Sequence, residues 1–114
     1  MFIITNNQLE QLSAGRLEKV VIKTWDIAEE EFSEFMYGTQ QENRQLIKKQ
    51  IHTAYYKYHI SSFDSLEDFA LLSLQYSILQ QEKLPGDLGK ILEWPDLPDN
   101  IKITETETLL MNKY

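Results

Sequence analysis

The chain has 114 residues, of which 42% are hydrophobic and 25% are charged. These values are typical of one globular domain and exclude wholesale disorder, low-complexity scaffolds and collagen-like structure. The absence of cysteine excludes disulfides and thiolate chemistry, and 18 acidic against 11 basic side chains make a nucleic-acid backbone an unfavourable partner.

The sequence carries no recognisable targeting or membrane segment. Its first residues lack a basic stretch followed by an apolar run, so we expect no secretory signal. The longest apolar-rich stretch, residues 69–79, is interrupted by polar side chains and falls short of the roughly 20 residues that a membrane-spanning helix requires. We therefore expect a cytoplasmic protein with no membrane contact.

The first third of the sequence predicts helix. Thr5 and Gln8 have the spacing of a capping box, and apolar residues then recur in helical steps as far as Phe35. The pattern fits either one long bent helix or two helices that break near Asp26. Gly38 is expected to end this region, because glycine adopts the left-handed conformation without a steric cost.

A second helix is predicted to begin at the capping box of Thr39 and Glu42 and to end near His59. Its expected apolar face consists of Leu46 or Ile47, Ile51, Ala54, Tyr55 and Tyr58.

A third helix follows a group of candidate N-terminal caps, namely Ser61, Ser62 and Asp64. Its expected apolar face consists of Leu66, Phe69, Ala70, Leu72, Ser73, Tyr76 and Leu79. Turn residues at 84–87 separate it from a short helix around residues 88–94, which Pro95 and Pro98 would stop.

The C-terminal residues are ambiguous. Residues 101–106 alternate between apolar and polar side chains as a strand does, but no other segment offers a partner strand. We expect residues 99–114 to form an extended arm or a short helix that packs on a domain formed by residues 1–98. The sequence thus predicts an all-α fold, a small helical bundle of three main helices with a C-terminal helix or arm.

The sequence contains no motif of a conventional catalytic site. With four glycines, it has no nucleophile elbow, phosphate-binding loop or dinucleotide fingerprint. His52 and His59 are seven residues apart, whereas helical pairs that share a metal are three or four apart. An enzyme built on Glu30, Glu34 and His52 has little support, so we expect no catalytic residue, cofactor or metal.

The charged side chains form two local groups. Acidic residues concentrate at 26–34, where Glu29, Glu30 and Glu34 either recognise a basic partner or lie on a solvated helix face. The basic group consists of Arg44, Lys48, Lys49 and Lys57. Because the net charge is −7, we expect this group to pair with the acidic first helix rather than with nucleic acid.

Trp94 lies in a proline-bounded stretch, residues 91–98, outside the main helices. It either fills a gap in the core or anchors a partner, because tryptophan is frequent at binding hot spots. We select this stretch as the candidate protein-binding site, with Leu92 and Leu97 beside Trp94. The acidic side chains expected to assist recognition are Glu29, Glu30 and Glu34.

Three stretches follow a recognisable order: IITNNQLEQL at residues 3–12, IHTAYYKYHISS at 51–62 and KILEWP at 90–95. They resemble a family of small bacterial proteins encoded beside type VI secretion spike and effector genes. In the middle stretch, His59 stands where the family's hinge has glycine. The resemblance implies a non-catalytic accessory protein that binds a spike, an effector or a chaperone, and it carries over no catalytic residue.

An immunity protein that blocks a cognate toxin is the alternative function. Toxins that act on nucleic acid tend to be basic, and a small acidic protein suits them. Immunity predicts rescue of cells from the toxin, whereas an adaptor predicts a secretion defect without rescue. The residues leave the oligomeric state open.

Overall fold

The computed structural model describes the backbone of residues 6–114 and the side chains from Gly15 onward. This part of the chain forms five helices: α1 (Asn6–Glu31), α2 (Gln40–Tyr56), α3 (Phe63–Gln75), α4 (Gly86–Leu92) and α5 (Asp99–Lys113). Between residues 6 and 114 no strand occurs, so the all-α prediction is confirmed. No helix in the described range has the length and hydrophobicity needed to cross a bilayer.

The helix α1 is continuous through Asp26, which decides between the two alternatives in favour of one helix. It ends earlier than the apolar pattern indicates, because the backbone of Phe32 leaves the helical region and a 3-10 turn follows at Ser33–Phe35. Gly38 has a φ of 83°, as expected for a left-handed residue, but it lies beyond this turn and leads into α2 instead of ending α1. The predicted capping box of Thr5 and Gln8 lies outside the part of the chain whose side chains are described.

Side-chain caps begin α2 and α3. The Thr39 hydroxyl accepts a hydrogen bond from the backbone amide of Glu42 at 3.1 Å, so the cap predicted for α2 is confirmed. The Ser62 hydroxyl accepts one from the amide of Ser65 at 3.2 Å, which selects Ser62 among the three candidate caps of α3. The connection between the two helices contains His59, whose φ of 56° is left-handed.

The core lies where α1, α2 and α3 pack against one another, and it also includes buried side chains of α4 and α5. Ile47 is buried and Leu46 only partly so, which decides between the two residues proposed for the apolar face of α2. Each large apolar side chain that is fully buried stabilises the fold by about 1.5–3 kcal/mol. The largest of these in the three helices are Phe69, Leu17, Ile47, Ile51, Leu66 and Val21.

The C-terminal segment is the helix α5, which packs on α4 and α3. Of the two alternatives, the terminal helix is confirmed and the extended arm is wrong. The alternation of apolar and polar residues at 101–106 does not indicate a strand here, because the buried face of this helix includes polar side chains. That face consists of Lys102, Ile103, Thr106 and Leu110, which follow the helical period.

Candidate functional site

Trp94 lies in the connection between α4 and α5, and 55% of its surface is exposed. Its amide donates to the carbonyl of Ile91 at 3.4 Å, and its carbonyl accepts from the amide of Leu97 at 3.3 Å. Pro95 and Pro98 have fixed φ angles and restrict the same connection further. Trp94 is therefore an exposed side chain on an ordered connection, and its alternative role as a core plug is wrong.

The helix α4, which precedes Trp94, contributes two leucines to the core. Leu88 and Leu92 lie one helical turn apart, and both are fully buried. The expectation that Leu92 belongs to a contact surface is therefore wrong, because a partner cannot reach it without opening the core. Leu97 is partly exposed and remains accessible next to Trp94.

Glu29, the first of the predicted acidic contacts, is already engaged within the chain. Both of its carboxylate oxygens accept hydrogen bonds from Arg44, at 2.8 and 3.2 Å, and one also accepts from Gln40 at 3.2 Å. The hydrogen bonds from Arg44 hold the pKa of Glu29 below its ordinary value. Glu29 therefore joins α1 to α2, whereas Glu30 and Glu34 are exposed.

Trp25 supports the same ion pair. The Arg44 guanidinium carbon lies 5.0 Å from the centre of the Trp25 ring, and the Trp25 indole N–H donates to the Arg44 carbonyl at 3.0 Å. No pattern along the chain indicates this contact, because Trp25 and Arg44 lie on different helices and their spacing matches no motif. Trp25 thus has a structural role within the bundle. Trp94, the other tryptophan, is exposed.

The predicted contact residues lie at two different ends of the bundle. Glu29 binds Arg44 and therefore lies near the start of α2. Glu93, the residue before Trp94, lies near Tyr58, just beyond the end of α2. With a helical rise of about 1.5 Å per residue, Arg44 and Tyr58 are separated by about 20 Å along the direction of α2. The structure therefore does not bring Trp94 and the acidic residues into one small site.

A groove lies between α2 and the chain segment 79–93. It consists of two adjoining depressions of about 540 and 500 Å³ that share Lys57, Glu82 and Lys83. We call it the lysine groove after the four lysines that line it, Lys49, Lys57, Lys83 and Lys90. Sequence reasoning missed it, because it combines residues that are far apart along the chain.

The basic group recognised in the sequence divides between two roles. Arg44 pairs with Glu29 and Lys48 with Glu18, at 2.8 and 3.8 Å, so the predicted pairing with the first helix is confirmed for these two residues. Lys49 and Lys57 form no such pair with the described side chains of α1, residues 15–31. Within residues 15–114, no carboxylate forms an ion pair with a lysine of the groove.

Lys57 is the most constrained of these lysines. Its ammonium donates to the carbonyl of Glu82 at 2.7 Å and lies 5.5 Å from the centre of the Tyr58 ring. The contact joins the end of α2 to the segment that forms the opposite wall. A neutral carbonyl leaves the positive charge of Lys57 uncompensated, so the ammonium remains available to an anionic group.

The two histidines have local structural surroundings. The His52 ring lies 6.0 Å from that of Tyr56 on the same helix, and His59 occupies the exposed left-handed position described above. Among the residues with described side chains, no group of three His, Asp or Glu is arranged to hold a metal ion.

No protein-family model matches the chain, and no significant match occurs among curated proteins or solved structures. The exposed Trp94 connection and the adjoining lysine groove are therefore the features from which a function is inferred.

Proposed function

We infer that the chain is a non-catalytic protein-binding accessory whose partner contacts Trp94. The observation that carries this proposal is the 55% exposure of a tryptophan on a connection held by backbone hydrogen bonds and two prolines. Exposing a large aromatic side chain contributes nothing to the core, whereas a tryptophan that is buried by a partner is a frequent source of binding energy.

The local order of the connection favours binding. A partner that buries Trp94 orders few additional backbone torsions, because the turn and the prolines already restrict them. Leu97 is partly exposed beside Trp94 and extends the apolar contact. Glu30 and Glu34 would form a second contact at the other end of the bundle, which a partner with an interface of ordinary size is able to reach.

The resemblance stated above makes a secretion spike or an effector the expected partner, with the accessory acting in the cytoplasm. In that role the protein would hold its partner during loading and would carry out no chemical step. The experiment is affinity capture from the native host with the tagged protein, followed by mass spectrometry of the bound proteins.

Two variants test whether capture of the partner depends on Trp94. Trp94→Ala is expected to weaken partner binding about thirtyfold, which corresponds to the loss of a hot spot of about 2 kcal/mol. Tyr37→Ala is the matched control, because Tyr37 is an aromatic residue with 82% exposure in the loop before α2. Equal capture by Trp94→Ala and the unmodified protein would contradict the proposal.

An immunity protein remains the second candidate, and the exposed acidic residues Glu30 and Glu34 favour it. In this case a basic toxin would bind the end of the bundle opposite Trp94. Rescue of cells from a co-expressed toxin that is lost in Glu30→Lys/Glu34→Lys but kept in Trp94→Ala would select immunity. A secretion defect without rescue would select the accessory role.

A further inference from the structure

The lysine groove has two walls that each carry two lysines. On α2, Lys49, Thr53 and Lys57 follow one another in steps of four residues, so they lie on one stripe of the helix. A rise of about 1.5 Å per residue separates the two lysines of this stripe by about 12 Å. The other wall carries Lys83 and Lys90.

The charge of the groove is opposite to that of the molecule. Four lysines and two glutamates line it in a chain whose net charge is −7. The ion pairs found among residues 15–114 use Lys23, Arg44, Lys48 and Lys113 and leave the groove lysines without a carboxylate partner. The groove is thus a local positive site that the carboxylates of residues 15–114 do not neutralise by ion pairing.

The wall formed by α4 permits close approach of a second backbone. Gly86 and Gly89 line the groove, and a Cβ atom added at Gly86 would meet nothing within 4 Å. Leu79 and Leu84 add apolar surface to the lining. An extended chain advances about 3.3 Å per residue, so roughly four residues span the distance between Lys49 and Lys57.

We propose that the lysine groove binds an acidic, extended peptide segment of the protein partner. Carboxylates of the segment pair with the four ammonium groups, and its backbone lies along the glycine-containing wall. Because Glu93 lines the groove and precedes Trp94, a segment in the groove continues towards Trp94. The inference rests on the proposed protein-binding function and adds the chemistry of the partner.

The test is a fluorescence anisotropy titration with a labelled oligoglutamate peptide of about ten residues, which is long enough to extend beyond the groove. The net charge of the protein repels this probe, so binding has to come from a local positive site. We expect the unmodified protein to bind oligoglutamate with an affinity that falls as salt is added.

Two groove variants and one control locate the binding. Lys83→Glu is expected to weaken binding about fivefold, since it removes one exposed ion pair and adds a repulsion. Gly86→Glu introduces a carboxylate where space is open, and a first-turn acidic residue is compatible with α4. Lys19→Glu makes the same charge change on the exposed surface of α1 and is expected to leave binding within about twofold.

Three results would overturn the inference: no binding of oligoglutamate at low salt, equal weakening by Lys19→Glu and Lys83→Glu, or displacement of the peptide by inorganic phosphate at the same total charge. The proposed function is tested separately, by the partner obtained in the capture experiment. A captured partner that requires Trp94 but is indifferent to Lys83→Glu and Gly86→Glu would remove the groove and keep the protein-binding function. A partner with the reverse dependence would keep the groove and remove Trp94 as the anchor.

Discussion

The carboxylate of Asp99 accepts a hydrogen bond from the backbone amide of Ser62 at 2.9 Å and another from Ser61 at 3.0 Å. Asp99 begins α5, whereas the two amides lie directly before α3. About one turn further along α5, the ammonium of Lys102 donates to the carbonyl of Tyr58 at 2.6 Å. The helix α5 therefore holds the connection between α2 and α3 at two points.

Lys102 is an unusual member of this arrangement, because it is 1% exposed. Burial lowers the pKa of Lys102, and the negative charge of Asp99 opposes the shift. The hydrogen bond to Tyr58 compensates part of the cost of placing an ammonium group in the interior. A residue that sequence patterns assign to the surface is thus part of the buried face of α5.

Replacing Asp99 tests the connection held by α5. Asp99→Ala leaves two backbone amides without their carboxylate acceptor, and we expect the free energy of unfolding to fall by about 2 kcal/mol in urea denaturation. Glu105→Ala, on the exposed face of the same helix, is the control and should change it by less than about 0.5 kcal/mol. Equal losses in the two variants would show that the amides of Ser61 and Ser62 do not depend on Asp99.

The left-handed backbone of His59 predicts an unusual order of stability among variants. A residue with a Cβ atom pays roughly 1–2 kcal/mol in this conformation, whereas glycine avoids the cost but loses more entropy on folding. We expect His59→Gly to leave the melting temperature unchanged or slightly higher. His59→Val should lower it clearly, because β-branched side chains are strained at positive φ. A valine variant as stable as the glycine variant would rule out the left-handed conformation.

Thr106 offers a stabilising substitution. Its hydroxyl is buried and, among the residues with described side chains, has no hydrogen-bond partner. Thr106→Val replaces the unsatisfied hydroxyl with a methyl group and is expected to raise the free energy of unfolding by about 1 kcal/mol. Thr104→Val is the control, since its hydroxyl is exposed and donates to the carbonyl of Asn100. Destabilisation by Thr106→Val would indicate that the hydroxyl is satisfied in solution.

Replacing Asp68 with asparagine is expected to stabilise the protein by an amount that depends on pH. The pKa of Asp68 is raised mainly by desolvation. Repulsion from three nearby carboxylates, those of Glu67, Asp64 and Glu107, raises it further. The folded chain therefore holds this proton more tightly than the unfolded chain, so the ionised form of Asp68 destabilises the fold at neutral pH. Asp68→Asn should be more stable than the unmodified protein at neutral pH.

The advantage of Asp68→Asn should shrink as the pH falls through the raised pKa and should disappear below the ordinary value of 3.8, where Asp68 is protonated in both states. Urea denaturation of both proteins across this pH range measures the difference directly. A difference that stays constant with pH would mean that the titration of Asp68 does not contribute to it.

Local signals predicted much of the fold. The cap at Thr39 follows from a side chain and an amide three residues apart, and such contacts require no knowledge of the remaining structure. The strand-like reading of residues 101–106 failed because hydrophobicity alone does not mark Lys102 and Thr106 as buried. Their inward positions depend on the carbonyl of Tyr58 and on packing against other helices, which become visible only in three dimensions.

The candidate site was predictable only in part. Pattern and composition single out the stretch around Trp94, but they do not show that Trp94 is exposed while Leu92, two residues earlier, is fully buried. The lysine groove joins residues of α2 with residues beyond α3, so no spacing along the chain indicates it. Surfaces of this kind are properties of packing between helices rather than of any one segment.

The most direct test of the central claim compares Trp94→Ala with the unmodified protein in two measurements, urea denaturation and calorimetric titration with the captured partner. We expect the protein to stay folded and to lose about 1 kcal/mol of unfolding free energy, because more than half of Trp94 is exposed, and we expect partner binding to weaken about thirtyfold. Unchanged affinity, or a loss of stability large enough to unfold the protein, would contradict the assignment of Trp94 as a partner anchor.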